Sequence, residues 1–193
     1  MSFRTSLRPL TRLAARPSPV VRASIPRRAF HPSPATFIKV GDVLPDMDVL
    51  QEGNPGNKVN LAHEVNVNGD AIIIGVPAAF SPSCSATHVP GYIQHPKTKD
   101  FPLVAVVSVN DVFVMKAWGE QMDPAGQAGF RFLADPAGEF TKAIDMDFEN
   151  KPIFGGDRSK RYTLVIKDGK VASVNVEPDN TGVQVSVAEK VLG

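Results

Sequence analysis

The sequence of 193 residues contains a single cysteine, Cys84. One cysteine excludes a disulfide framework, a two-cysteine redox pair and a cysteine-rich zinc site within one chain. The four histidines follow neither the HExxH pattern nor another close metal-ligand spacing, so we predict no metal and no bound cofactor. No apolar run approaches the roughly 18–20 residues that a membrane-spanning helix needs, and we expect no membrane segment in the mature protein.

Acidic residues and lysine are missing from the first 30 residues, which carry seven arginines. The other 14 basic and 20 acidic residues give residues 31–193 a net charge of −6. Because a fold with this charge repels phosphates, we do not expect nucleic acid as a partner.

The arginine-rich leader has the composition of an organelle transit peptide. Its first four arginines recur every fourth residue and would form one charged stripe on a helix. Arg28-Ala29-Phe30 resembles a mitochondrial processing signal. We therefore predict that residues 1–36 are a mitochondrial transit peptide and linker, that residues 37–193 form the domain, and that the mature protein lies in the matrix. The alternative is a disordered basic arm that binds acidic partners.

Strand and helix patterns alternate after the leader, in the order β-α-β-α-β-α-β-β-α. The predicted strands are 71–76, 103–109, 130–133, 161–166 and 171–177; the predicted helices are 82–94, 111–122, 138–146 and 186–192. We expect Pro90-Gly91 to disturb the first helix, Asn110 to cap the second, 147–160 to be a long connection and Asp168-Gly169 to form a hairpin turn. This order predicts an α/β protein with a thioredoxin-like fold, whose central mixed sheet is flanked by helices.

Cys84 lies where a buried strand gives way to a helix, which is where open α/β sheets build their sites. Ser81 suits the helix N-cap and Pro82 the first helical position, so Cys84 falls in the first turn. Backbone N–H groups and the positive helix end favour the thiolate there, and we predict a nucleophilic cysteine. The alternative is a buried structural cysteine. Ser81-x-x-Cys84 also has the spacing of a redox CxxC pair with serine in the first position.

The segment Gly75–Gly91 resembles the peroxiredoxins. Pro77-x-x-x-Ser81-x-x-Cys84 matches their P-x-x-x-(T/S)-x-x-C signature, and GVPAAFSPSCSATHVPGYI is similar to their type-five, Redoxin-class branch. The resemblance continues through Ser108-Val-Asn-Asp, Ala134-Asp-Pro, Arg161-Tyr162 and Asn175-Val-Glu-Pro, and covers residues 38–193. It implies a thioredoxin fold and a thiol peroxidase that reduces hydrogen peroxide and organic hydroperoxides, with a role in antioxidant defence and redox homeostasis.

The resemblance also implies roles for individual residues. Cys84 would attack the peroxide, Ser81 would position it by hydrogen bonding, and Pro77 would shield the thiolate. Arg161 would stabilise the thiolate and polarise the peroxide. Arg158 and Lys160 are further candidates for this cationic role. Gly75 and Phe80 would form the walls of the substrate pocket.

Val185 stands near the place where many type-five members have a resolving cysteine. We therefore predict a one-cysteine peroxidase whose sulfenic acid is resolved by an external thiol, either glutathione with glutaredoxin or thioredoxin. The resemblance further implies a homodimer formed through the loops around 80–90 and 115–122.

Two other function classes fit the same cysteine. His88 follows Cys84 by four residues and shares its helix face, which allows a Cys–His dyad of a thiol hydrolase. Against it stands a packing histidine beneath the active-site loop. The third class is a non-enzymatic peroxide sensor or holdase with the same fold.

Overall fold

The computed structural model describes residues 37–193. The predicted transit peptide and linker, 1–36, lie outside the described residues. The strands are β1 (Leu50–Glu52), β2 (Asn54–Val59), β3 (Ala71–Gly75), β4 (Leu103–Ser108), β5 (Arg131–Ala134), β6 (Asp147–Asn150), β7 (Gly156–Ser159), β8 (Tyr162–Lys167) and β9 (Lys170–Val176). The helices are α1 (Leu61–Asn68), α2 (Val89–Gln94), α3 (Val112–Met122), α4 (Glu139–Ala143), α5 (Lys151–Phe154) and α6 (Ala188–Val191), with a π-helical turn at Cys84–His88 and a 3₁₀ turn at Pro96–Asp100.

Seven strands form one mixed sheet in the order β2-β1-β5-β4-β3-β8-β9. β3 pairs in parallel with β4 and antiparallel with β8, and β4 pairs in parallel with β5. The central strands β3 and β4 are buried along their whole length, as expected for continuous apolar runs covered on both faces. The predicted central mixed sheet flanked by helices, in a thioredoxin-like arrangement, is therefore confirmed.

Side chains of the central strands alternate between two apolar layers. On one face Ile73 packs with residues of α1 and α4. On the other face Ile72 and Ile74 pack with Cys84 and with residues of α2, α3 and α6. This alternation follows from the two-residue period of a strand, and it places Cys84 in the core layer beneath the second set of helices.

Four strands and two helices were not predicted. They are the β1–β2 hairpin with α1, and the β6–α5–β7 segment that occupies the predicted connection 147–160. The sequence of β2 is NPGNKV, and only Val59 among its residues is buried. β6 and β7 have no fully buried residue except Ser159. Such polar strands lack the apolar alternation that marks a strand in a sequence.

Two local predictions about helix ends are corrected. The carboxylate of Asp111, rather than the amide of Asn110, caps α3 by accepting hydrogen bonds from the N–H groups of Phe113 and Val114. The irregularity of the first helix lies at Cys84–His88, where the N–H of Val89 bonds to the carbonyl of Cys84, and not at Pro90-Gly91. Because Pro90 has no N–H for the carbonyl one turn back, its effect falls on the preceding turn.

Within the described residues, no helix is both long and apolar enough to cross a membrane.

Gly75 is expected to tolerate no side chain. A Cβ built on it would lie 2.0 Å from Cε1 of Tyr162, which faces it across the β3–β8 pair. Both residues are buried in the central strands, so the clash has no simple relief. Gly75→Ala should lower the free energy of unfolding by about 3 kcal/mol. Urea denaturation measures this loss.

Gly91→Ala is the matched control for that measurement. A Cβ on Gly91 would meet nothing within 4 Å, and alanine is the better helix former. Its stability should equal or exceed that of the unaltered protein. Equal stabilities for the two variants would contradict the close packing of Tyr162 against Gly75.

Candidate active site

Cys84 follows the carboxyl end of β3 through a loop that is tied to the neighbouring strand. The side-chain oxygen of Asn110 accepts a hydrogen bond from the N–H of Ala79 at 3.0 Å and another from Ser108 Oγ at 2.8 Å. Ser108 Oγ also lies 3.1 Å from the carbonyl of Val76. These bonds explain why Asn110 is unavailable as a helix cap, and they fix the loop that leads to the cysteine.

The sulfur of Cys84 receives hydrogen bonds from two side chains. Ser81 Oγ donates at 2.7 Å, and Arg161 Nη1 donates at 3.2 Å. Among the hydrogen bonds of residues 37–193, no backbone N–H donates to this sulfur, although the position in the helix suggested one. Ser81 holds the N-cap position through its carbonyl, which accepts from the N–H of Ser85 at 3.0 Å, so that its hydroxyl is directed to the sulfur.

Arg161 reaches Cys84 because of its place beside β8. Tyr162, the first residue of that strand, points into the layer around Gly75. The preceding residue must point to the opposite face, where Cys84 lies. Arg161 is only 2% exposed, and its Nε donates to the carbonyl of Thr181 at 3.1 Å. A guanidinium is thereby held at the sulfur, and its planar set of N–H donors has a fixed geometry there.

The two other cationic candidates lie elsewhere. Arg158 donates to the carbonyl of Val109 and, at 3.0 Å, to that of Phe154. Lys160 Nζ donates to the carbonyl of Asp145 at 3.0 Å. Of the three, only Arg161 contacts the sulfur.

His88 is fully buried beside Arg161 and does not hydrogen-bond to Cys84. Its Nδ1 lies 3.3 Å from Arg161 Nη1, and its Nε2 lies 3.0 Å from the carbonyl oxygen of Ser186. Burial, and then the charge of Arg161, lower the pKa of His88 to about 4. A neutral imidazole bonded to Arg161 gives no support to a Cys–His dyad.

A buried carboxylate holds the chain segment next to His88. Glu177 Oε1 accepts hydrogen bonds from the N–H groups of Gln184, Val185 and Ser186, and from Ser186 Oγ. Burial opposes ionisation of Glu177, but these donors outweigh it, and its pKa is lowered. The Ser186 carbonyl in turn accepts hydrogen bonds from Tyr92 OH at 2.7 Å and from Thr163 Oγ1 at 3.0 Å, and it is also the partner of His88 Nε2.

The remaining predicted site residues have different surroundings. Pro77 is buried in the loop after β3. Phe80 is 48% exposed, has a φ of 60° and lies 6.5 Å from the ring of Trp118. The side of β3 on which Gly75 would carry a side chain faces Tyr162 and not Cys84, and its place in a pocket wall stays a prediction. Its lack of a side chain makes room for that ring.

The described residues contain no group of three or more histidine, cysteine or acidic side chains that could hold a metal ion. The arrangement therefore supports chemistry at the sulfur of Cys84, to which two side chains donate hydrogen bonds.

Glu177 and Ser186 were not predicted as site residues. Ser186 contacts His88 from 98 positions further along the chain, and Glu177 holds Ser186 in place. The Asn175-Val-Glu-Pro motif was the only sign of Glu177, and a main-chain carbonyl such as that of Ser186 leaves no sign in a sequence.

Acid should destabilise the fold through His88. The unfolded chain binds a proton near pH 6.5, whereas the folded chain binds it only near pH 4. Between these values the unfolded state holds more protons, so the free energy of unfolding falls as the pH falls. The total loss should be about 3 kcal/mol, at 1.36 kcal/mol per pKa unit. Urea denaturation at intervals from pH 7 to pH 4 measures it.

His88→Leu is the control, since it removes the titrating ring and should remove most of this slope. The buried carboxylate of Glu177 has a lowered pKa, so its contribution is lost only at lower pH, below its ordinary value of about 4.5. An unchanged slope in His88→Leu would contradict a buried neutral His88.

The fold and this site together define a class: thioredoxin-like proteins with a cysteine at the start of a helix whose sulfur accepts side-chain hydrogen bonds. Comparison with known proteins narrows it. Residues 39–192 match the family model described as Redoxin. Peroxisomal membrane associated protein 20 of Schizosaccharomyces pombe is 44% identical over 159 residues, which are 81% of this chain and 98% of that protein.

Two solved structures are similar as well. Reduced Prx3 of Vibrio vulnificus in complex with H₂O₂ is 37% identical, with a TM-score of 0.70 over 81% of this chain and 98% of that one. Peroxiredoxin 5 of Alvinella pompejana is 38% identical, with a TM-score of 0.65 over 75% and 92%. This chain belongs to the Redoxin family and is a peroxiredoxin, a thiol-dependent peroxidase.

Proposed function

We propose that this protein reduces hydrogen peroxide and organic hydroperoxides through Cys84 alone, and that an external thiol restores the sulfur. The observation that carries the proposal is the pair of hydrogen bonds to Cys84 Sγ, from Ser81 Oγ at 2.7 Å and from Arg161 Nη1 at 3.2 Å. Both groups donate hydrogen bonds to the sulfur atom that attacks the peroxide, and the thiolate is the nucleophilic form of a cysteine.

The first step transfers one oxygen atom. The thiolate of Cys84 attacks the nearer peroxide oxygen, a sulfur–oxygen bond forms, and the O–O bond breaks. Sulfur is oxidised to sulfenic acid by two electrons, and the leaving oxygen departs as hydroxide or alkoxide and takes up a proton. Arg161 supplies positive charge where the leaving oxygen becomes negative. Its Nη2 has no hydrogen-bond partner among residues 37–193, so these N–H groups are available to a peroxide.

Ser81 has a second part in this step. Its hydroxyl both donates and accepts, so it can pass from the sulfur of Cys84 to a peroxide oxygen. Pro77, buried in the same loop, shields the sulfur from water, and Phe80 borders the entrance.

The second step returns the sulfur to the thiol. An external thiol attacks the sulfenic acid, releases water and forms a mixed disulfide, and a second thiol breaks that disulfide. The chain has no second cysteine, so both thiols must come from outside. Glutathione with glutaredoxin, or thioredoxin, supplies them in our proposal. Because Cys84 is fully buried, residues around the sulfur have to move to admit the thiol.

Turnover should therefore depend entirely on added thiol. Without thiol, each chain should rapidly consume about one equivalent of peroxide, after which only slow overoxidation of the Cys84 sulfenic acid should continue, because it has no partner cysteine in the chain. An NADPH-coupled assay should show continued turnover with glutathione and glutaredoxin or with thioredoxin and its reductase, and the faster pair identifies the reductant. Sustained peroxide consumption without any thiol would refute the one-cysteine scheme.

We also propose that the protein acts in the mitochondrial matrix, in antioxidant defence and redox homeostasis. The support is the acid-free, arginine-rich leader in residues 1–36. Cell fractionation of the full chain against a chain without residues 1–36 tests this: both forms in the cytosol would oppose it.

A homodimer beside the site is the last part of the proposal. Phe80 and Phe113 are 48% and 65% exposed, near the regions 80–90 and 115–122 that the family resemblance indicates. Sedimentation analysis should give a dimer for the unaltered protein and a monomer for Phe113→Asp; a monomeric unaltered protein would oppose it.

A further inference from the structure

A single nitrogen of Arg161 serves two partners. Nη1 carries two N–H groups, and it lies 3.2 Å from Cys84 Sγ and 3.3 Å from His88 Nδ1. If each N–H takes one partner, the plane of the guanidinium is set by the sulfur and the imidazole together. The Nε–H of the same guanidinium donates to the Thr181 carbonyl at 3.1 Å.

The protonation of His88 follows from its two neighbours. Arginine only donates hydrogen bonds, so Nδ1 must accept and carries no proton. A main-chain carbonyl only accepts, so Nε2, at 3.0 Å from the Ser186 oxygen, must carry the proton. Together the two contacts require the neutral tautomer with its proton on Nε2. Burial of the ring lowers its pKa to about 4, which is consistent with a neutral ring at working pH.

The carbonyl that selects this tautomer is itself fixed. Glu177 Oε1 accepts hydrogen bonds from the N–H groups of Gln184 and Ser186 at 2.8 and 2.9 Å. The N–H of Glu177 donates to the carbonyl of Arg161 at 3.0 Å. One segment, residues 177–186, therefore bonds to the backbone of Arg161 and also to the imidazole ring of His88.

We propose that His88 is a positioning residue, which accepts a hydrogen bond from Arg161 and thereby aims the guanidinium at the sulfur and at the bound peroxide. His88 acts only through Arg161, since it makes no hydrogen bond to Cys84. The inference rests on the proposed peroxidase mechanism and adds to it a residue that makes no hydrogen bond to the sulfur. A rotated guanidinium would keep its charge but lose its alignment with the leaving oxygen.

A double-mutant cycle tests this proposal on the full chain. The variants are His88→Leu, Arg161→Met and the two combined, and the readout is the second-order rate constant for H₂O₂ under single-turnover conditions. Leucine has an apolar side chain of moderate size and lacks the acceptor that Nδ1 provides. His88→Leu alone should lower the rate constant roughly ten- to a hundredfold, which is the loss seen when a residue that orients a metal ligand is removed and is applied here to a residue that orients a catalytic arginine.

In the Arg161→Met background the same His88→Leu change should have almost no further effect, because the group through which His88 acts is gone. His88→Asn should recover part of the rate, since its amide oxygen can lie near the place of Nδ1 and accept from Arg161. A residue with a packing role alone would give equal losses in both backgrounds and no recovery with asparagine.

Control measurements distinguish three causes of a lost rate: a misfolded variant, a wrong peroxidase mechanism, and a wrong role for His88. Thermal unfolding of each variant shows that the rates refer to folded protein. Alkylation of Cys84 by iodoacetamide, which needs no oxygen leaving group, should change much less than the peroxide rate. If Cys84→Ser and Arg161→Met lose activity while His88→Leu keeps it, only the positioning role is overturned; if Arg161→Met keeps full activity, the proposed mechanism itself fails.

Discussion

Cys84→Ser is expected to abolish peroxide reduction, with a loss of about a thousandfold or more in the rate constant for H₂O₂. Serine keeps the shape of the side chain, but its hydroxyl is not ionised near neutral pH and is a poor nucleophile towards peroxide. Cys84 is the only cysteine in the chain, so no other thiol can replace it. Stopped-flow fluorescence of Trp118, the one tryptophan, follows the reaction, since its Nε1 donates to Ser85, the neighbour of Cys84, at 3.1 Å.

Ser83→Ala is the matched control for this variant. Ser83 is the preceding neighbour of Cys84, is partly exposed and makes no side-chain capping hydrogen bond. It should keep nearly the full rate. The thermal midpoint of Cys84→Ser should stay within a few degrees of the unaltered value, because the change removes little volume. Peroxidase activity in folded Cys84→Ser would refute the assignment of the reactive sulfur.

Arg161→Met is expected to give the second largest loss, about a hundred- to a thousandfold in the same rate constant. This is the range for removal of one preorganised donor to a developing oxyanion. The guanidinium donates to the sulfur at 3.2 Å and is almost fully buried, so water cannot take its place. Arg161→Lys should retain part of the rate, because it keeps the charge but not the planar set of donors.

Arg158→Met distinguishes a local contact from general positive charge. Arg158 is three residues away, yet its guanidinium is bonded to the carbonyls of Val109 and Phe154. Rates measured on folded protein should change little in this variant. If Arg158→Met lost as much activity as Arg161→Met, the contribution would come from the overall charge and not from a donor aimed at the reacting atoms.

The central part of the fold could be predicted because its strands are apolar throughout. β3 and β4 read as AIIIG and LVAVVS, and a strand buried on both faces needs such runs. The hairpin at Asp168-Gly169 was also predictable, since both residues have positive φ, at 49° and 76°, and this pair favours such a turn. β2 and the β6–β7 pair escaped because their residues are mostly polar and very few of them are fully buried.

In the site, contacts between residues close in sequence were easier to predict than contacts between residues far apart in sequence. Ser81 lies three residues before Cys84, and the spacing predicted it as the helix N-cap; that its hydroxyl donates to the sulfur is known from the structure. The contact with Arg161 spans 77 positions in the chain, and only the family resemblance could indicate it. His88 lies close to Cys84 in sequence, but the structure gives it Arg161 and Ser186 as partners.

The sequence does not show why position 75 is a glycine. The family resemblance implied only that Gly75 forms part of a pocket wall. Its actual neighbour is the ring of Tyr162 on the adjacent strand, 2.0 Å from where a Cβ would lie. Sequence spacing does not reveal which side chain on a paired strand occupies that space.

The most direct test of the mechanism is the chemical state of Cys84 after one equivalent of H₂O₂, measured by mass spectrometry of the full chain in the absence of thiols and with dimedone present. The mechanism predicts about one dimedone adduct per chain, located on Cys84, with adduct formation much slower in Arg161→Met. Consumption of the peroxide while Cys84 remains a free thiol would contradict it.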